Sequence, residues 1–310
     1  MDMTAMIPFA VDNTPRSNAM AETKSNVRWE CMLPDEYRAA MAALPVCFLP
    51  LGTVEWHGEH NALGLDSLKA HALLCEAART AGGGVVHPPV YGGMGGLDQP
   101  ATIVVEGEHT WDNHLLRPWL EKLCGEFHRQ GFKAIVIITG HYGHNQQIVV
   151  RETAARMTQR LQIPVFGSPE YWLALDAGYH GDHAGIGETS LLQHLHPELV
   201  DIDRIDRDSV YGKDDRIKTG ASPALGKKYA DLIVTRLATL AKAMPTWDAA
   251  TRDAFVKAER AIVDAQVTRW RTDHAWAAWK NIAKFDAYGQ LLVEQRFDQI
   301  EKLVAKVLKT

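Results

Sequence analysis

The fold is decided by one apolar stretch, Pro45-Val46-Cys47-Phe48-Leu49-Pro50-Leu51-Gly52. A second stretch of the same kind, Ala134-Ile135-Val136-Ile137-Ile138, occurs further along the chain. Both are apolar at every central position, whereas a strand with one face in water alternates apolar and polar residues. Such runs are typical of central strands in a largely parallel sheet that helices cover on both faces.

Shorter apolar runs and amphipathic helical patterns alternate around these two strands. Strands are predicted over five ranges: Val46–Leu51, Val85–Val90, Ile103–Val105, Ala134–Thr139 and Pro164–Phe166. Helices are predicted over Ser67–Ala81, Asp112–Gln130, Asn145–Leu161 and Ser222–Met244. This alternation predicts a layered α/β fold, in which ligands bind at the carboxyl ends of the strands.

Three regions are predicted along the chain. Residues 1–27 are expected to be a flexible polar tail, residues 28–245 the α/β domain, and residues 246–310 a helical C-terminal extension. The extension carries an apolar seam with a four-three spacing, made of Val293, Phe297, Ile300, Val304 and Val307. Such a seam packs helix on helix, either as a cap on the same domain or as a contact between subunits.

Composition argues against several classes of partner. The 310 residues are 46% hydrophobic and 23% charged with a formal net charge of −5, so neither nucleic acid nor an anionic membrane is expected. No apolar run reaches the roughly 18 residues of a membrane span, and the N-terminal residues lack the order of a signal peptide. Four scattered cysteines without a C-x-x-C pair predict free thiols, which favours the reducing cytoplasm.

Potential metal ligands follow the first predicted strand at once. Glu55, His57 and His60 lie in Glu55-Trp56-His57-Gly58-Glu59-His60, and Asp66 follows a short loop. In an extended backbone, side chains two residues apart point to the same face, so Glu55 and His57 can converge. Carboxylates combined with imidazole suit Zn²⁺, Mn²⁺ or Fe²⁺ better than Ca²⁺. The alternative for Asp66 is a capping role at the start of the helix that follows it.

Two later segments carry the same kinds of side chain. The second apolar strand ends at Thr139-Gly140-His141-Tyr142-Gly143-His144-Asn145. A glycine-rich loop that leads into a helical pattern reads Gly181-Asp182-His183-Ala184-Gly185-Ile186-Gly187-Glu188-Thr189-Ser190. The loops after the first and second apolar strands leave the same edge of a parallel sheet, so they are expected to face one cleft.

Together these segments resemble the creatininase (creatinine amidohydrolase) family. The first family motif is matched by Pro50-Leu51-Gly52, Glu55, His57-Gly58, His60 and Asp66. The second motif aligns with Thr139-Gly140-His141, and the third, His-Ala-Gly-x-x-Glu-Thr-Ser, is present without a gap from His183 to Ser190. Three motifs in the family's order make the resemblance specific.

The resemblance implies a creatininase-like α/β fold and two divalent metal ions, with Zn²⁺ preferred and Mn²⁺ or Fe²⁺ as alternatives. It assigns Glu55 and His141 to one metal, His57 to the other, and Asp66 to a bridge between them. Two bridged cations lower the pKa of bound water, which then serves as a hydroxide nucleophile, and one cation polarises the amide carbonyl. His183 is predicted to protonate the nitrogen leaving group, because imidazole both accepts and donates protons near neutral pH.

The second motif departs from the family pattern. Creatininases carry His-Tyr-Glu-Asn there and bind the second metal through the glutamate, but this chain has Gly143 at that position. Either His144 or Glu188 must then complete the second site. Glu188 is preferred, so it counts both as a metal ligand and among the catalytic residues. Its alternative is a first-turn carboxylate that the helix dipole favours.

The remaining candidates surround the metal ligands. Tyr142, His144, Tyr179 and His180 are predicted to line a rebuilt substrate pocket, which makes creatinine itself an unexpected substrate. His60 is predicted to orient a ligand or a carboxylate rather than to bind the metal directly. An exposed loop position is the alternative for His144.

The sequence therefore predicts a metal-dependent amidohydrolase that cleaves a non-peptide C–N bond of a small cyclic or linear amide through a metal-bridging hydroxide. By resemblance, the chain is expected to form a homo-oligomer, which in this family is often a hexamer. Alternative functions are a formamide hydrolase or a peptidase that acts on a modified peptide. A non-catalytic binding or assembly member of the fold is less consistent with the intact set of candidate ligands.

Overall fold

Four parallel strands form the centre of the structure, a computed structural model that describes residues 26–94, 99–103, 105–106, 115–208, 210, 213–273 and 281–309. The strands are β1 (Val46–Leu51), β2 (Val85–Val86), β3 (Ala134–Thr139) and β4 (Val165–Pro169), in the spatial order β2-β1-β3-β4. β1 and β3 pair over their full length, with Val46 opposite Ala134 and Leu51 opposite Thr139. The carboxyl ends of the two central strands therefore lie side by side.

Both faces of the sheet are buried, which explains the unbroken apolar runs. In β1, Val46 and Phe48 belong to one hydrophobic cluster, whereas Cys47, Leu49 and Leu51 belong to the other. Because successive side chains in a strand point to opposite faces, every residue of β1 needs an apolar neighbour. The predicted covered, parallel sheet is confirmed.

Ten α-helices lie within the described part of the chain. They are α1 (Pro34–Ala43), α2 (Leu65–Ala81), α3 (Leu116–Arg129), α4 (His144–Leu161), α5 (Ile186–Leu195), α6 (Asp215–Gly220), α7 (Pro223–Ala243), α8 (Ala249–Asp273), α9 (Tyr288–Val293) and α10 (Phe297–Leu308). α2 covers one face of the sheet and α7 packs against α2, whereas α3 with most of α4 covers the other face. None of the described helices combines the length and the apolar character that crossing a bilayer requires.

Two of the strand predictions are wrong in extent or kind. The predicted strand Val85–Val90 stops at Val86, because the chain continues through two prolines that lack the N–H of a sheet ladder. The predicted strand Ile103–Val105 is not a strand at its described positions. Ile103 is 53% exposed, and its N–H bonds only the carbonyl of Val54.

Helix boundaries differ from the predicted ones by a few residues. α2 begins at Leu65 instead of Ser67 and ends at Ala81, because Gly82 follows with a φ of +86°, the left-handed conformation that glycine favours. α7 begins after Ser222, whose hydroxyl accepts the Leu225 N–H as a cap. The predicted start of α3 at Asp112 lies outside the described residues.

The C-terminal helices pack on the same core as the sheet. Four of the five seam residues are buried, and α10 packs its apolar side against α8. Phe255 of α8 and Ile300 of α10 belong to the hydrophobic cluster that also contains Phe48 of β1. The seam therefore packs within the chain, as expected for a helical cap, while the division near residue 245 stays a prediction.

Candidate metal centre

The loops after β1 and β3 bring Glu55, Asp66 and His141 together. His141 Nδ1 lies 2.9 Å from Glu55 Oε1 and 3.2 Å from Asp66 Oδ2. All three side chains are buried, and their ligand atoms are close enough to one another to share one cation. This first group combines two carboxylates with one imidazole, a donor set that suits zinc or manganese.

A second group lies beside the first and shares Asp66 with it. His57 Nε2 is 3.2 Å from Asp66 Oδ1 and 3.7 Å from Glu188 Oε2. These three residues are also buried and able to hold a cation. Asp66 thus presents one oxygen to each group, as a bridging carboxylate does in two-metal sites.

The two ligand histidines have defined tautomers. His57 Nδ1 is 3.0 Å from the backbone carbonyl of Glu55, and His141 Nε2 is 3.1 Å from the carbonyl of Met94. Because a carbonyl only accepts hydrogen bonds, these nitrogens carry the protons. Once metal binding removes the second proton of each ring, the lone pairs of His57 Nε2 and His141 Nδ1 would point into the two groups, which is the usual arrangement of metal-binding histidines.

The polar atoms of this site call for a cation. His57 Nε2 and both carboxylate oxygens of Asp66 are buried and have no hydrogen-bond partner among the described residues. Buried polar atoms normally have partners, because leaving them unsatisfied is costly. One ion in each group would satisfy all three atoms, so the residues fit a two-metal centre. The capping alternative for Asp66 is wrong, since Gly64 is the N-cap of α2.

The electrostatic field of the site is strongly negative. Burial alone would lower the pKa of His57, but Asp66, Glu188 and Glu55 outweigh it and raise that pKa to about 9. Burial likewise opposes the high pKa of His141, which Glu55 and Asp66 hold well above its ordinary value. A field that attracts protons to two buried rings also attracts metal ions, and metal binding must displace those protons.

His183 stands at the edge of both groups. Its Nε2 donates to the carbonyl of Trp56 at 2.8 Å, and its Nδ1 lies 3.6 Å from Glu55 Oε1. Burial and the nearby His57 lower the pKa of His183, so the ring is neutral at pH 7 with its lone pair on Nδ1. Its side chain is 29% exposed, the most of these residues. The same position allows it to join Glu55 and His57 as a metal ligand.

Three further candidates lie around the ligand groups. The hydroxyls of Tyr142 and Tyr179 are 2.6 Å apart and buried. His60 Nε2 lies 3.1 Å from the hydroxyl of Thr189, the residue after Glu188. His60 thus contacts the helix that carries Glu188 and lies outside the ligand groups found among the described residues.

The structure does not bring the other two candidates, His144 and His180, into the ligand groups of the described residues. His144 lines a separate small cavity together with Tyr171, Trp172 and Gln266. His180 is exposed. Of the two alternatives for the last ligand of the second metal, the structure therefore favours Glu188. A substrate-contacting role for His144 or His180 stays a prediction.

Sequence reasoning missed a buried cation next to the site. Lys69 Nζ donates to Tyr142 Oη at 2.8 Å and to Glu188 Oε1, and it lies 3.1 Å from Glu170 Oε1. Burial lowers the pKa of Lys69, but the two glutamates and Asp66 outweigh it and raise that pKa. The available signal was the position of Lys69 three residues after Asp66, since such residues share one helix face.

Asp182 is the second missed residue. Its carboxylate accepts the N–H groups of Gly187 at 2.7 Å and of Glu188 at 3.0 Å. It therefore fixes the first turn of α5 and with it the position of Glu188. An aspartate shortly before a helical pattern is an N-terminal helix signal that the sequence did display.

Comparisons with known proteins agree with this geometry. Residues 31–241 match the family model for creatininase, described as creatinine amidohydrolase. A creatinine amidohydrolase of Pseudomonas putida is 29% identical over 196 residues, which cover 55% of this chain and 72% of that protein. A mycofactocin precursor peptide peptidase of Mycolicibacterium smegmatis is 26% identical over 178 residues, which cover 54% of this chain and 65% of that protein.

Solved structures share the fold. A mutant creatininase of Zn–Zn type superimposes with a TM-score of 0.53 at 23% identity and covers 68% of this chain and 95% of its own. A creatininase described with Mn superimposes with a TM-score of 0.53 at 25% identity and covers 68% of this chain and 96% of its own. Because the family model matches more than half of the sequence, this chain belongs to the creatininase family of hydrolases, which act on carbon–nitrogen amide bonds.

Proposed function

We propose that this protein is a metal-dependent amidohydrolase that cleaves a non-peptide C–N bond in a small cyclic or linear amide. The observation that carries the proposal is the pair of buried ligand groups that share Asp66, with Glu55 and His141 on one side and His57 and Glu188 on the other. Zinc is the preferred ion and manganese the main alternative, because nitrogen and oxygen donors suit both and because relatives are described with each.

Two bound divalent cations would supply an activated water and a Lewis acid for the amide carbonyl. The protein residues hold and orient this chemistry. Asp66 fixes the separation of the two sites, and the carbonyls of Glu55 and Met94 keep the rings of His57 and His141 in their ligating tautomers. Burial of these groups keeps bulk water away, which strengthens every electrostatic interaction within the site.

His183 is the residue best placed to move a proton. Its Nδ1 lone pair faces the ligand groups, while its Nε2–H is held by Trp56, so the ring accepts a proton at Nδ1 without rotating. The low pKa of His183 keeps it in the accepting form at pH 7. Once protonated, it can deliver that proton to the amide nitrogen as the C–N bond breaks, which an amide leaving group requires.

The first experiment measures metal content. We expect about two equivalents of Zn²⁺ or Mn²⁺ per chain after purification and reconstitution, and a loss of metal in Asp66→Asn. A panel of lactams, hydantoins, formamides and short peptides would then identify the substrate class. Wild-type protein that binds no divalent metal would refute the proposal.

The second experiment separates the two roles open to His183. If His183 transfers protons, H183Q should lower kcat by roughly 10²- to 10⁴-fold while retaining its metal. Loss of one metal equivalent in H183Q would instead identify His183 as a ligand. H128Q is a matched control, because His128 is an exposed histidine on α3.

A peptidase that acts on a modified peptide is the second candidate function. It is favoured by the 26% identity to a mycofactocin precursor peptide peptidase. Hydrolysis of short peptides, but of no lactam, hydantoin or formamide in the same panel, would select it. A homo-oligomer is likewise proposed, and light scattering coupled to size exclusion chromatography would test that assembly.

A further inference from the structure

Lys69 is a buried lysine to which the proposed chemistry gives no role. It lies in the second turn of α2, three residues after Asp66, and its side chain has no exposed surface. An ammonium group in such a place must be paired with anions. Glu170 and Glu188 provide the pairing, and the Tyr142 hydroxyl accepts another of its hydrogen bonds.

The two oxygens of Glu188 face different partners. Oε1 accepts from the Lys69 ammonium, whereas Oε2 accepts the N–H of Ala184 at 2.8 Å and lies 3.7 Å from His57 Nε2. A metal ion in the second group would therefore share one carboxylate with an ammonium ion. Among the described residues, Lys69 pairs with Glu170 and Glu188, and its charge acts less strongly on Asp66, which both groups share.

Like charges on either side of one buried carboxylate repel each other. We propose that Lys69 lowers the affinity of the second group, formed by His57, Asp66 and Glu188, for a divalent cation. The two ions then bind in separate steps, tightly in the first group and more weakly in the second. Lys69 acts indirectly, because it pairs with the Glu188 carboxylate and not with the metal ion. The inference depends on the proposed function, because it requires a centre for two cations.

Glu170 allows the sign of this effect to be tested in both directions. Its carboxylate offsets part of the Lys69 charge, so Glu170→Gln should leave more of that charge acting on Glu188. Lys69→Met should tighten the second binding step, whereas E170Q should weaken it. The double variant K69M/E170Q removes one charge of each sign and should return the second step close to that of the wild type.

The experiment is a Mn²⁺ titration of metal-free protein, with free Mn²⁺ followed by electron paramagnetic resonance and heat by calorimetry. We expect K69M to tighten the second step at least about tenfold and the first step, which Lys69 affects only through Asp66, by a smaller factor. The matched control is K302M, because Lys302 is exposed and pairs with Asp298 on the same helix, α10. A purely structural role of Lys69 would weaken both steps together.

The outcomes separate this inference from the proposed function. Wild-type protein that binds no Mn²⁺ would overturn both. Two steps in the wild type, with the second step unchanged or weaker in folded K69M, would overturn the inference alone. Should K69M fail to fold, E170Q carries the test, and a second step that is unchanged or tighter there would overturn it.

Discussion

A buried ion pair connects the sheet to the C-terminal helices and offers a quantitative test of the fold. Arg151 of α4 is fully buried and donates to Glu259 of α8 and, at 2.8 Å, to the Ser168 hydroxyl. Tyr288 of α9 contacts both charged groups, with its hydroxyl 2.7 Å from Glu259 Oε1 and 3.1 Å from the guanidinium. The guanidinium also lies 4.2 Å from the centre of the Trp172 ring.

Glu259→Gln leaves the Arg151 charge buried without its anion. Removing one partner of a buried pair costs about 3 to 5 kcal/mol, because the remaining charge is not solvated. The double variant R151M/E259L removes both charges, takes both of these partners from the Tyr288 hydroxyl, and removes the bond that Ser168 accepts from Arg151, while Ser168 still donates to the Pro169 carbonyl. At about 1 kcal/mol for each hydrogen bond, we expect a loss of about 2 kcal/mol. The double variant should thus be more stable than the single one.

Urea unfolding at pH 7, followed by tryptophan fluorescence at constant metal concentration, measures these free energies. D231N serves as a control, because Asp231 and Lys227 form an exposed pair on α7 that should contribute less than about 1 kcal/mol. A loss below about 1 kcal/mol in E259Q, or a double variant less stable than E259Q, would refute the reasoning from burial.

Three further predictions follow from the site and its surroundings. Burial lowers the pKa of His144 from 6.5 in the unfolded chain to about 4 in the folded protein. As the pH falls from 7 towards 4, the unfolded chain therefore takes up a proton at His144 before the folded protein does, and the free energy of unfolding decreases. Between pH 7 and 5 the loss should be about 2 kcal/mol by urea unfolding, and H144N should abolish that part of the pH dependence. Chelation of divalent metal should lower the unfolding temperature of the wild type by several degrees and that of D66N by much less, measured by scanning calorimetry. Equal shifts in the two proteins would contradict the proposal that Asp66 binds metal. Finally, G140A should destabilise the fold by at least about 2 kcal/mol in urea unfolding, because the added Cβ would lie 2.1 Å from the Asp66 carbonyl oxygen. The control is G125A in α3, where the added Cβ meets no atom within 4 Å, and it should stabilise the fold by up to about 1 kcal/mol.

The two long central strands could be predicted from the sequence, because their pattern depends only on residues that are neighbours in the chain. The runs of β1 and β3 are apolar at every position because both faces of the sheet are buried, and such runs are recognisable without a partner. The strand prediction at Ile103 was wrong. This apolar residue is exposed, and its N–H donates to the carbonyl of Val54 without forming part of the sheet. Apolar character alone does not distinguish a strand from an exposed loop that follows one.

The candidate site was predictable as a set of residues but not as an arrangement. Glu55, Asp66 and His141 were named from motifs, and the structure brings them together because β1 and β3 are neighbours. Lys69 escaped notice because its partner Glu188 lies 119 residues away along the chain. The resemblance already favoured Glu188 over His144 as the last ligand, and the packing places Glu188 beside His57 while His144 lines a separate cavity.

The sequence by itself determined which side chains of metal-binding type occur at the ends of the buried strands, since both features depend on short-range spacing. The tertiary structure alone decided that Asp66 presents one oxygen to each ligand group and that Glu188 lies between Lys69 and His57. It also decided that His144 faces a separate cavity. Each of these outcomes depends on distances between segments far apart in the chain, which no local pattern records because the packing of helices on the sheet sets them.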